Sequence, residues 1–417
     1  MSSSQRAKSD PPLATGMISV DQALDFMLAR ARPLEEAESV PLTEALGRVL
    51  AHAEISPIDV PGYANSSMDG YAVRAGDAAV DGSVSLPVGQ RIAAGEIGAP
   101  LAAGEAARIF TGAPLPERAD AVVIQEDCQQ VGDRVRFCGP VVFGDNVRPR
   151  GNDILAGSEV LAVGTRLRPQ ELGLAASVGL ARLDVVRRLR VAMFSSGDEL
   201  LQPGEPLAAG AIYNSNRYTL RGLLSALGCE IIDLGSVQDT LAATEAALEA
   251  AAADADVVVT SGGMSVGDED HVKQAVERAG QLEMWRVAVK PGKPLAYGRI
   301  GNADFIGLPG NPVSTLLTFC LFVRPFLLRR QGVPEVLAKS LSVPAAFNWP
   351  RPGRRREYLR ARLEQDADGI AVNIYPKQGS DVLTSTVWAD GLVEIREGET
   401  VERGDLVPYY SFAELLS

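Results

Sequence analysis

A regular alternation of strand and helix within residues 189–332 constrains the fold of this 417-residue chain more than any other feature. The apolar run at 189–194 precedes a helical segment at 215–228. Strands and helices then alternate up to a long helix that begins at Pro312, with Asn311 as its expected cap. Strands that alternate with helices of about 10–15 residues form parallel sheets covered on both faces. We therefore predict a doubly wound α/β domain, with ligands bound beyond the carboxyl ends of its strands.

The rest of the chain divides into regions of different pattern. Residues 19–32 predict an amphipathic helix with Ser19 and Gln22 spaced as a capping box, and 43–51 and 168–179 predict further helices. Elsewhere, short apolar runs between glycine- and proline-rich turns predict strands. The expected order is a disordered lead at 1–16, a helical and extended domain I at 17–55 and 155–188, an inserted β-rich domain II at 56–154, the α/β domain III at 189–332, a proline-rich linker at 332–352, and a small C-terminal β-barrel within domain IV at 340–417.

Composition and charge narrow the classes of function. Hydrophobic residues make up 46 % and charged residues 22 %, as in ordinary globular proteins, and Lys+Arg 40 against Asp+Glu 53 gives a net charge of −13. This acidic balance argues against nucleic acid as a partner. Two histidines and four cysteines without a C-x-x-C pair provide neither a zinc site nor a disulfide framework, so the expected metal is Mg²⁺ on oxygen ligands.

The sequence also predicts where the protein works. The N-terminus has no signal-peptide pattern, and the most apolar stretch, 313–328, is interrupted by polar residues, Arg324 and Pro325 before it reaches membrane-span length. Cysteines without a disulfide pattern are typical of a reducing compartment. We therefore expect a cytoplasmic protein with no membrane partner.

Three loops that follow predicted strands of the α/β domain have unusual chemistry. SSGDEL contains Glu199, SGGMSVGDED spans 261–270, and PGNP leads directly into a helix. Gly262, Gly263 and Gly267 would let backbone N–H groups approach phosphate oxygens, and the acids that follow could hold a Mg²⁺ bridging those phosphates. The alternative is a tight strand-to-helix turn whose acids complement the helix dipole. Neither a dinucleotide-binding glycine motif nor a P-loop occurs.

Basic residues concentrate after these loops. Lys290 and Lys293 lie on a proline-stiffened KPGKP turn, where they either bind an anionic substrate or are solvated surface lysines. Arg360 and Arg362 alternate with apolar residues on a predicted strand, so that one face could present Arg360 to an oxyanion. The arginines at 354–356 either bind an anion together with these residues or form a solvated hairpin edge.

Seven segments, taken in order, resemble the MoeA family of molybdopterin molybdenumtransferases, which is related to the E domain of gephyrin. They are PGYANSSMDGYAV, IFTGAPLPERADAVVIQED, VRPRGNDI, SSGDEL, SGGMSVGDED, KPGKP and LPGNP, and the resemblance covers about residues 20–415. It implies an elongated homodimer of four-domain chains with composite active sites. It also implies a Mg²⁺-dependent reaction in which adenylylated molybdopterin and molybdate yield molybdenum cofactor and AMP.

The resemblance further implies which residues act. Catalytic roles fall on Asp69, Glu199, Asp239 and Asp270, and the last three are the implied Mg²⁺ ligands. Substrate-binding roles fall on Thr111, Asp153, Ser261, Gly262, Gly263, Ser265, Gly267, Lys290, Lys293, Pro309, Pro312, Arg360 and Ser380. The sequence departs from the family pattern in two places. Arg286 stands where the family often has a lysine, which keeps the charge, and Asp381 places a carboxylate beside Ser380.

Two other functions share some of these features. A molybdopterin adenylyltransferase has the fold of the α/β domain, but its relatives consist essentially of that domain, so the flanking regions argue against it. The other alternative is a non-catalytic cofactor carrier or scaffold, against which the intact acidic residues argue. For the transferase, the expected partners are its two substrates, a second copy of the chain, molybdopterin adenylyltransferase and molybdoenzyme maturation proteins.

Overall fold

The computed structural model describes residues 17–79, 81–263, 271–366 and 369–416. The chain divides into two compact units. The larger unit contains the chain up to Glu38, the segment Gly47–Ala51 and everything from Val185 onward. The smaller unit contains Ser39–Leu46 and His52–Asp184. The finer division into four domains stays a prediction.

Helices within the described residues are found mainly in the larger unit. They are α1 (Val20–Leu28), α2 (Pro169–Ser177), α3 (Ser215–Ala226), α4 (Leu241–Asp254), α5 (His271–Ala279), α6 (Pro312–Thr318), α7 (Arg324–Arg330), α8 (Thr384–Trp388) and α9 (Phe412–Leu415). Short 3-10 turns occur at Leu42–Glu44, Ala75–Ala78 and Gln125–Asp127. A π-helical stretch at Phe319–Val323 joins α6 and α7 into one helix.

Strands occur throughout both units. Up to residue 186 they are β1 (Ala37–Pro41), β2 (Glu54–Ile55), β3 (Asn65–Ser66), β4 (Gly70–Val73), β5 (Gly82–Ile92), β6 (Ala106–Ile109), β7 (Ala121–Ile124), β8 (Gln129–Val131), β9 (Arg134–Gly139), β10 (Val147–Arg148), β11 (Glu159–Leu161) and β12 (Arg182–Val186). The α/β region contains β13 (Arg190–Ser196), β14 (Leu200–Leu201), β15 (Ile212–Tyr213), β16 (Glu230–Val237), β17 (Val257–Ser261), β18 (Gly280–Arg286), β19 (Val289–Lys290), β20 (Pro294–Ile300) and β21 (Ala303–Leu308). The C-terminal region contains β22 (Leu341–Pro344), β23 (Arg356–Asp366), β24 (Gly369–Ile374), β25 (Gly391–Ile395) and β26 (Leu406–Ser411).

The central sheet of the larger unit has the strand order β16-β13-β17-β21-β20-β18. The first four strands are parallel, which confirms the α/β prediction, but β20 runs antiparallel to both of its neighbours, β21 and β18. The two residues after Ile300 connect β20 to β21, and Gly301 there has a φ of +58°. A connection this short joins only antiparallel neighbours, so the sheet is mixed rather than wholly parallel.

Helices cover both faces of this sheet. Alternate residues of β13 point to opposite sides, with Val191 and Met193 in one apolar cluster and Ala192 and Phe194 in the other. The first cluster includes residues of α1, α3, α6 and α7, and the second includes residues of α4 and α5. The continuous helix Pro312–Arg330 has the length and composition of a membrane span, but 83 % of its apolar window is buried, as in a core helix.

The C-terminal strands form a curved sheet with the order β19-β23-β25-β26-β22, and β24 pairs with the other side of β23. A single bridge between Ala345 and Val372 brings the β22 end of this sheet to β24, and the enclosed side is apolar. The barrel prediction therefore describes the observed curvature. The linker expected at 332–352 is partly wrong, because β22 pairs with β26 inside this sheet.

The smaller unit contains a sheet of order β7-β4-β6-β5-β9-β8. Its two faces carry separate apolar clusters, with Tyr71 and Val73 on one side and Ala72 on the other. This arrangement confirms the β-rich interpretation of the inserted region. The helix expected at 43–51 is wrong, because only a 3-10 turn forms and Gly47 follows it with a φ of +74°.

Candidate active site

One edge of the central sheet opens into a cleft of about 760 Å³. The cleft is lined by residues that follow the carboxyl ends of the four parallel strands and by residues next to β18 and β20, whose matching ends lie at the same edge. Ligands of open α/β sheets bind in this position. The loops there come from distant parts of the sequence, and the strand order determines which of them are neighbours.

Two carboxylates occupy the end of the cleft beside β16 and β13. Glu199 follows β13 and Asp239 follows β16, and both side chains line the cleft. Ser196 Oγ donates to Asp239 Oδ1 at 3.1 Å, and the Asp239 backbone N–H donates to Asp198 Oδ1, also at 3.1 Å. These bonds connect the two loops, so Glu199 and Asp239 belong to one acid end of the site.

The third implied metal ligand, Asp270, lies outside the described residues, as do Ser265 and Gly267. Among the described residues, no group of three His, Cys, Asp or Glu side chains could hold a metal ion. Mg²⁺ is usually held by one or two carboxylates together with substrate phosphates. Glu199 and Asp239 at one end of a cleft fit that mode of binding.

The backbone after β17 forms the next part of the cleft. Gly262 and Gly263 have φ values of +87° and +65°, and a Cβ at Gly262 would collide with the Ser196 carbonyl oxygen. Glycine is therefore required for this close approach between neighbouring loops. Ser261 is buried, and its Oγ lies 3.0 Å from Ser195 Oγ, so its hydroxyl belongs to the wall of the cleft.

The loop after β21 connects the cleft to the C-terminal sheet. Pro309 and Asn311 line the cleft, and Asn311 Nδ2 donates to Ser380 Oγ at 3.0 Å. The Ser380 carbonyl oxygen accepts from Val313 N at 3.1 Å. Asn311 occupies the expected N-cap position, but its side chain makes no cap hydrogen bond. Pro312 is the first residue of α6 and serves as its start.

Four cationic side chains line the opposite end of the cleft: Arg286, Lys290, Lys293 and Arg355. Lys290 Nζ donates to Glu357 Oε2 at 3.0 Å, and Arg355 Nη1 donates to the Val289 carbonyl oxygen at 3.1 Å. The KPGKP turn packs closely, since a Cβ at Gly292 would lie 2.5 Å from Thr318 Cγ2. This end of the cleft suits an anion.

Arg360, which the sequence placed among the substrate-binding residues, is fully buried and is not among the residues that line the cleft, so that role stays a prediction. Its Nε donates to Ser385 Oγ at 3.0 Å and its Nη2 donates to the Gly379 carbonyl oxygen at 2.9 Å. Burial lowers the pKa of Arg360 to about 10, and the charge of Asp381 opposes that shift. Arg360 therefore supports the loop that carries Ser380, and its buried Nη1 has no hydrogen-bond partner among the described residues.

The strand order arranges these groups in a line. From β16 to β18 the cleft presents two acids, then a glycine backbone, then the PGNP loop with Ser380, and finally the cations. Neighbouring strands lie about 4.8 Å apart, so five intervals separate the acid end from the cation end by about 24 Å. A long ligand with a metal-binding phosphate at one end and an anionic reactant at the other matches this order.

The smaller unit holds the remaining residues implied by the resemblance. Thr111 donates to Asp69 Oδ1 through both its backbone N–H and its hydroxyl, each at 2.8 Å. These hydrogen bonds lower the pKa of Asp69 below its ordinary value. Asp153 is exposed and its backbone N–H donates to the Val60 carbonyl oxygen at 3.0 Å. The structure thus brings Asp69 and Thr111 together, and their implied roles stay predictions.

Sequence reasoning missed several groups in the cleft. Asn216 near the start of α3 donates from Nδ2 to the Gly310 carbonyl oxygen at 2.8 Å, and its Oδ1 is buried with no hydrogen-bond partner among the described residues. Ser196 and Gln378 also line the cleft. Asn216 lies in a segment whose helical pattern concealed it, although a polar residue at the start of a helix near a strand end was an available signal.

Three family models match the chain. One described as the MoeA N-terminal region (domain I and II) matches residues 18–179, a probable molybdopterin binding domain matches 192–329, and the MoeA C-terminal region (domain IV) matches 342–412. Together they cover most of the chain. The cleft described above lies mainly within the second match, and its lysine turn and Ser380 connect it to the third.

Curated proteins and a solved structure are similar over nearly the whole length. The chain is 38 % identical over 410 residues to the molybdopterin molybdenumtransferase of Haemophilus influenzae, covering 96 % of this chain and 100 % of that one. It is 37 % identical over 381 residues to molybdopterin molybdenumtransferase 2 of Mycobacterium tuberculosis, and this match covers 89 % of this chain and 93 % of that one. The crystal structure of the molybdopterin biosynthesis MoeA protein from Pyrococcus horikosii matches with a TM-score of 0.77 at 34 % identity, covering 95 % and 99 %.

Proposed function

We propose that this chain, which belongs to the MoeA family of molybdopterin molybdenumtransferases, inserts molybdenum from molybdate into adenylylated molybdopterin and releases AMP. The observation that carries the proposal is the linear order of the cleft, with acids at one end, glycine backbone in the middle and cations at the other. That order matches a substrate with a phosphoanhydride at one position and a metal-accepting dithiolene at another.

The acid end and the glycine backbone would hold the phosphoanhydride. The backbone N–H of Gly263 can approach a phosphate oxygen, because neither Gly262 nor Gly263 has a side chain in the way, while the Gly262 N–H donates to the Leu308 carbonyl oxygen at 3.3 Å. Glu199 and Asp239 would hold Mg²⁺ together with those phosphates, and Asp270 is the third ligand that the sequence predicts. When bound, Mg²⁺ would neutralise negative charge on the phosphates during release of AMP.

The cation end would collect molybdate. A tetrahedral dianion is strongly hydrated, so several donors must bind it at once to offset the loss of water. Lys290, Lys293, Arg286 and Arg355 line this end, and the Ser380 hydroxyl lies at its border with the PGNP loop. Because the metal's sulfur ligands come from the substrate, the protein needs no cysteine or histidine there.

The finer parts of this proposal concern assembly and location. We propose a cytoplasmic homodimer, in which Asp69 and Thr111 of one copy complete the cleft of the other. The paired hydrogen bonds that hold Asp69 as an anion support its use as a charged group in that composite site. Molybdopterin adenylyltransferase, which would supply the substrate, and molybdoenzyme maturation proteins, which would accept the product, are the proposed further partners.

AMP release tests the function directly. Purified protein is incubated with adenylylated molybdopterin and Mg²⁺, with and without molybdate, and AMP and the molybdenum cofactor are measured by mass spectrometry. The transferase releases AMP and forms cofactor only when molybdate is present. In a parallel incubation with molybdopterin, ATP and Mg²⁺, an adenylyltransferase would form adenylylated molybdopterin, and in the first assay a carrier would bind the pterin without releasing AMP, so either result would overturn the proposal.

A further inference from the structure

A buried carboxylate beside the cation end of the cleft has no role in the function proposed above. Glu357 is 5 % exposed and lies on β23, directly opposite Lys290 of β19 in the strand ladder. Its Oε2 accepts a hydrogen bond from Lys290 Nζ at 3.0 Å. Among the described residues, Lys290 provides the one ion pair of this carboxylate. The pair therefore joins a predicted anion-binding lysine to the C-terminal sheet.

The four cations of the cleft differ in how their charge is balanced. Lys290 pairs with Glu357, whereas Arg286, Lys293 and Arg355 form no ion pair among the described residues. The Lys290 side chain is 47 % exposed, so its ammonium group faces the cleft while also contacting the buried carboxylate. An anion that binds Lys290 must therefore share it with a negative charge already in place.

We propose that Glu357 is a built-in counter-anion of Lys290 and that its charge lowers the affinity of this end of the cleft for tetrahedral dianions. The inference rests on the proposed function in taking molybdate as the dianion that binds there. Because Glu357 is fixed by the β19–β23 ladder and buried, it cannot swing away or be screened by water as a surface carboxylate would. Its effect is to keep molybdate exchangeable and to prevent abundant anions such as sulfate from occupying the site.

The electrostatic and the purely structural roles of Glu357 predict opposite changes in anion affinity when the carboxylate is removed. If the carboxylate only positions Lys290, its removal disorders the lysine and weakens anion binding. If it competes with the anion, its removal strengthens anion binding, because Lys290 no longer divides its charge between two partners. A substitution that keeps the shape and the hydrogen-bond acceptor but removes the charge distinguishes the two roles.

Glu357→Gln is that substitution. We expect the Kd of the protein for molybdate, measured by equilibrium dialysis, and the KM for molybdate in AMP release to fall about fivefold, the scale of losing one nearby charge at a partly exposed site. Inhibition by sulfate should become stronger by a similar factor. An unchanged or raised Kd would overturn the proposal, because Glu357 would then position Lys290 or have no part in binding.

Glu394→Gln is the matched control. Glu394 lies on the neighbouring strand β25, is also 5 % exposed, and contacts Arg356 and Tyr410 instead of a residue of the cleft. The same substitution therefore removes one buried carboxylate from the same sheet, and molybdate binding should not change. Tighter binding in Glu394→Gln as well would mean that overall charge, and not the Lys290–Glu357 pair, determines affinity.

A second variant guards against failure of Glu357→Gln to fold. Glu357→Asp keeps the charge but withdraws it from Lys290 by one methylene, so the KM for molybdate should fall by less than in the glutamine variant, and a rise would overturn the proposal. The wild type separates this inference from the proposed function. If the wild type needs molybdate for AMP release while Glu357→Gln binds molybdate no more tightly, the inference fails by itself. If the wild type releases no AMP, the proposed function fails, and sulfate binding by the two variants still tests Glu357.

Discussion

Arg360 shows how a buried cation can serve a site that it does not line. Its guanidinium holds Ser385 Oγ and the Gly379 carbonyl oxygen, and its backbone N–H donates to Gln378 Oε1 at 2.9 Å. These bonds fix the loop that presents Ser380 to Asn311. Since two groups of this loop depend on the Arg360 side chain and a third on its backbone N–H, the loop is the means by which we expect Arg360 to affect anion binding.

Arg360→Lys should therefore not behave as a conservative substitution. Lysine supplies a point charge and cannot hold two acceptors in a planar fork. We expect the KM for molybdate to rise about tenfold, on the order of 1.4 kcal/mol, and the melting temperature to fall, because buried acceptors lose their donor. Steady-state kinetics and thermal unfolding measure the two effects.

Arg362→Lys is the control for this prediction. Arg362 is two residues away on β23, lies over the Trp388 ring and pairs with Glu364 where both side chains are partly exposed. Neither the KM for molybdate nor the melting temperature should change appreciably in this variant. A raised KM in Arg360→Lys without any loss of thermal stability would instead support direct contact between Arg360 and the anion, as the strand pattern first indicated.

Asp239 provides a test at the acid end of the cleft. Its only side-chain partner among the described residues is Ser196, so Asp239→Asn should preserve the fold. We expect AMP release to slow about 100-fold, the scale of losing one charge contact in the transition state. A rapid-quench assay measures this step. Asp254→Asn, at the exposed end of α4, removes the same charge away from the cleft and should release AMP at the wild-type rate.

At the level of residues, the sequence predicted chemistry better than it predicted orientation. Lys290, Lys293 and Glu199 line the cleft as expected from their loops. Strand alternation predicted that one face of the strand could present Arg360 to an oxyanion, but it could not show what covers that face. Leu359 and Ala361 lie in the enclosed apolar cluster, whereas Arg360 points to the other face of β23 and is covered by the segment 377–385. No local pattern in residues 356–366 reveals that cover.

Among the elements, the turn at Gly262 directly after β17 combines a positive φ with a close backbone approach. Gly262→Ala would place a Cβ against the Ser196 carbonyl oxygen at a positive φ. We expect the free energy of unfolding to fall by about 1–3 kcal/mol and the KM for adenylylated molybdopterin to rise, because two neighbouring loops of the cleft must separate. Denaturant titration and steady-state kinetics check both.

Gly301→Ala is the matched control for that loop. Gly301 in the β20–β21 turn also has a positive φ, but a Cβ there would meet no atom within 4 Å. Its substitution should cost about 1 kcal/mol in backbone strain and leave the KM unchanged. If the two variants lose stability equally and neither changes the KM, close packing at Gly262 has no part in shaping the cleft.

The elements themselves were largely predictable, and the exceptions have physical causes. The capping box of α1 forms as its spacing indicated, with bonds of 3.0 and 3.1 Å between Ser19 and Gln22. The alternation of strand and helix patterns in the sequence also located β13, β16, β17 and β21 correctly. The direction of β20 could not be read from apolar periodicity, because a short run looks the same in a parallel and an antiparallel sheet. The two-residue connection after Ile300 was the available signal.

For the whole molecule, the implied catalytic residues belong to two units. Asp69 and Thr111 lie in the smaller unit, and Glu199, Asp239 and the lysines lie in the larger. Periodicity and charge could identify the α/β cleft, but nothing in the local pattern distinguished Asp69 from an ordinary turn residue. Only the ordered set of motifs connected it with the cleft, so its role stays a prediction that concerns assembly.

A mixing experiment tests that assembly. If the smaller unit of one copy completes the cleft of the other, Asp69→Ala and Asp239→Asn protomers are each inactive as homodimers. In a heterodimer of the two, one composite site carries both substitutions and the other carries neither. Random exchange makes about half of the dimers mixed, with one intact site in two, so AMP release should recover to about one quarter of the wild-type rate.

The control mixes two variants whose changes fall in the same unit, Glu199→Gln and Asp239→Asn. Every heterodimer of that pair carries one substitution in each site, so no recovery is expected, whichever way the sites are built. Subunit exchange is followed by native mass spectrometry with one protomer isotopically labelled. If exchange is complete and the Asp69→Ala mixture still releases no AMP, each active site is built within a single chain, and Asp69 serves the cleft of its own copy.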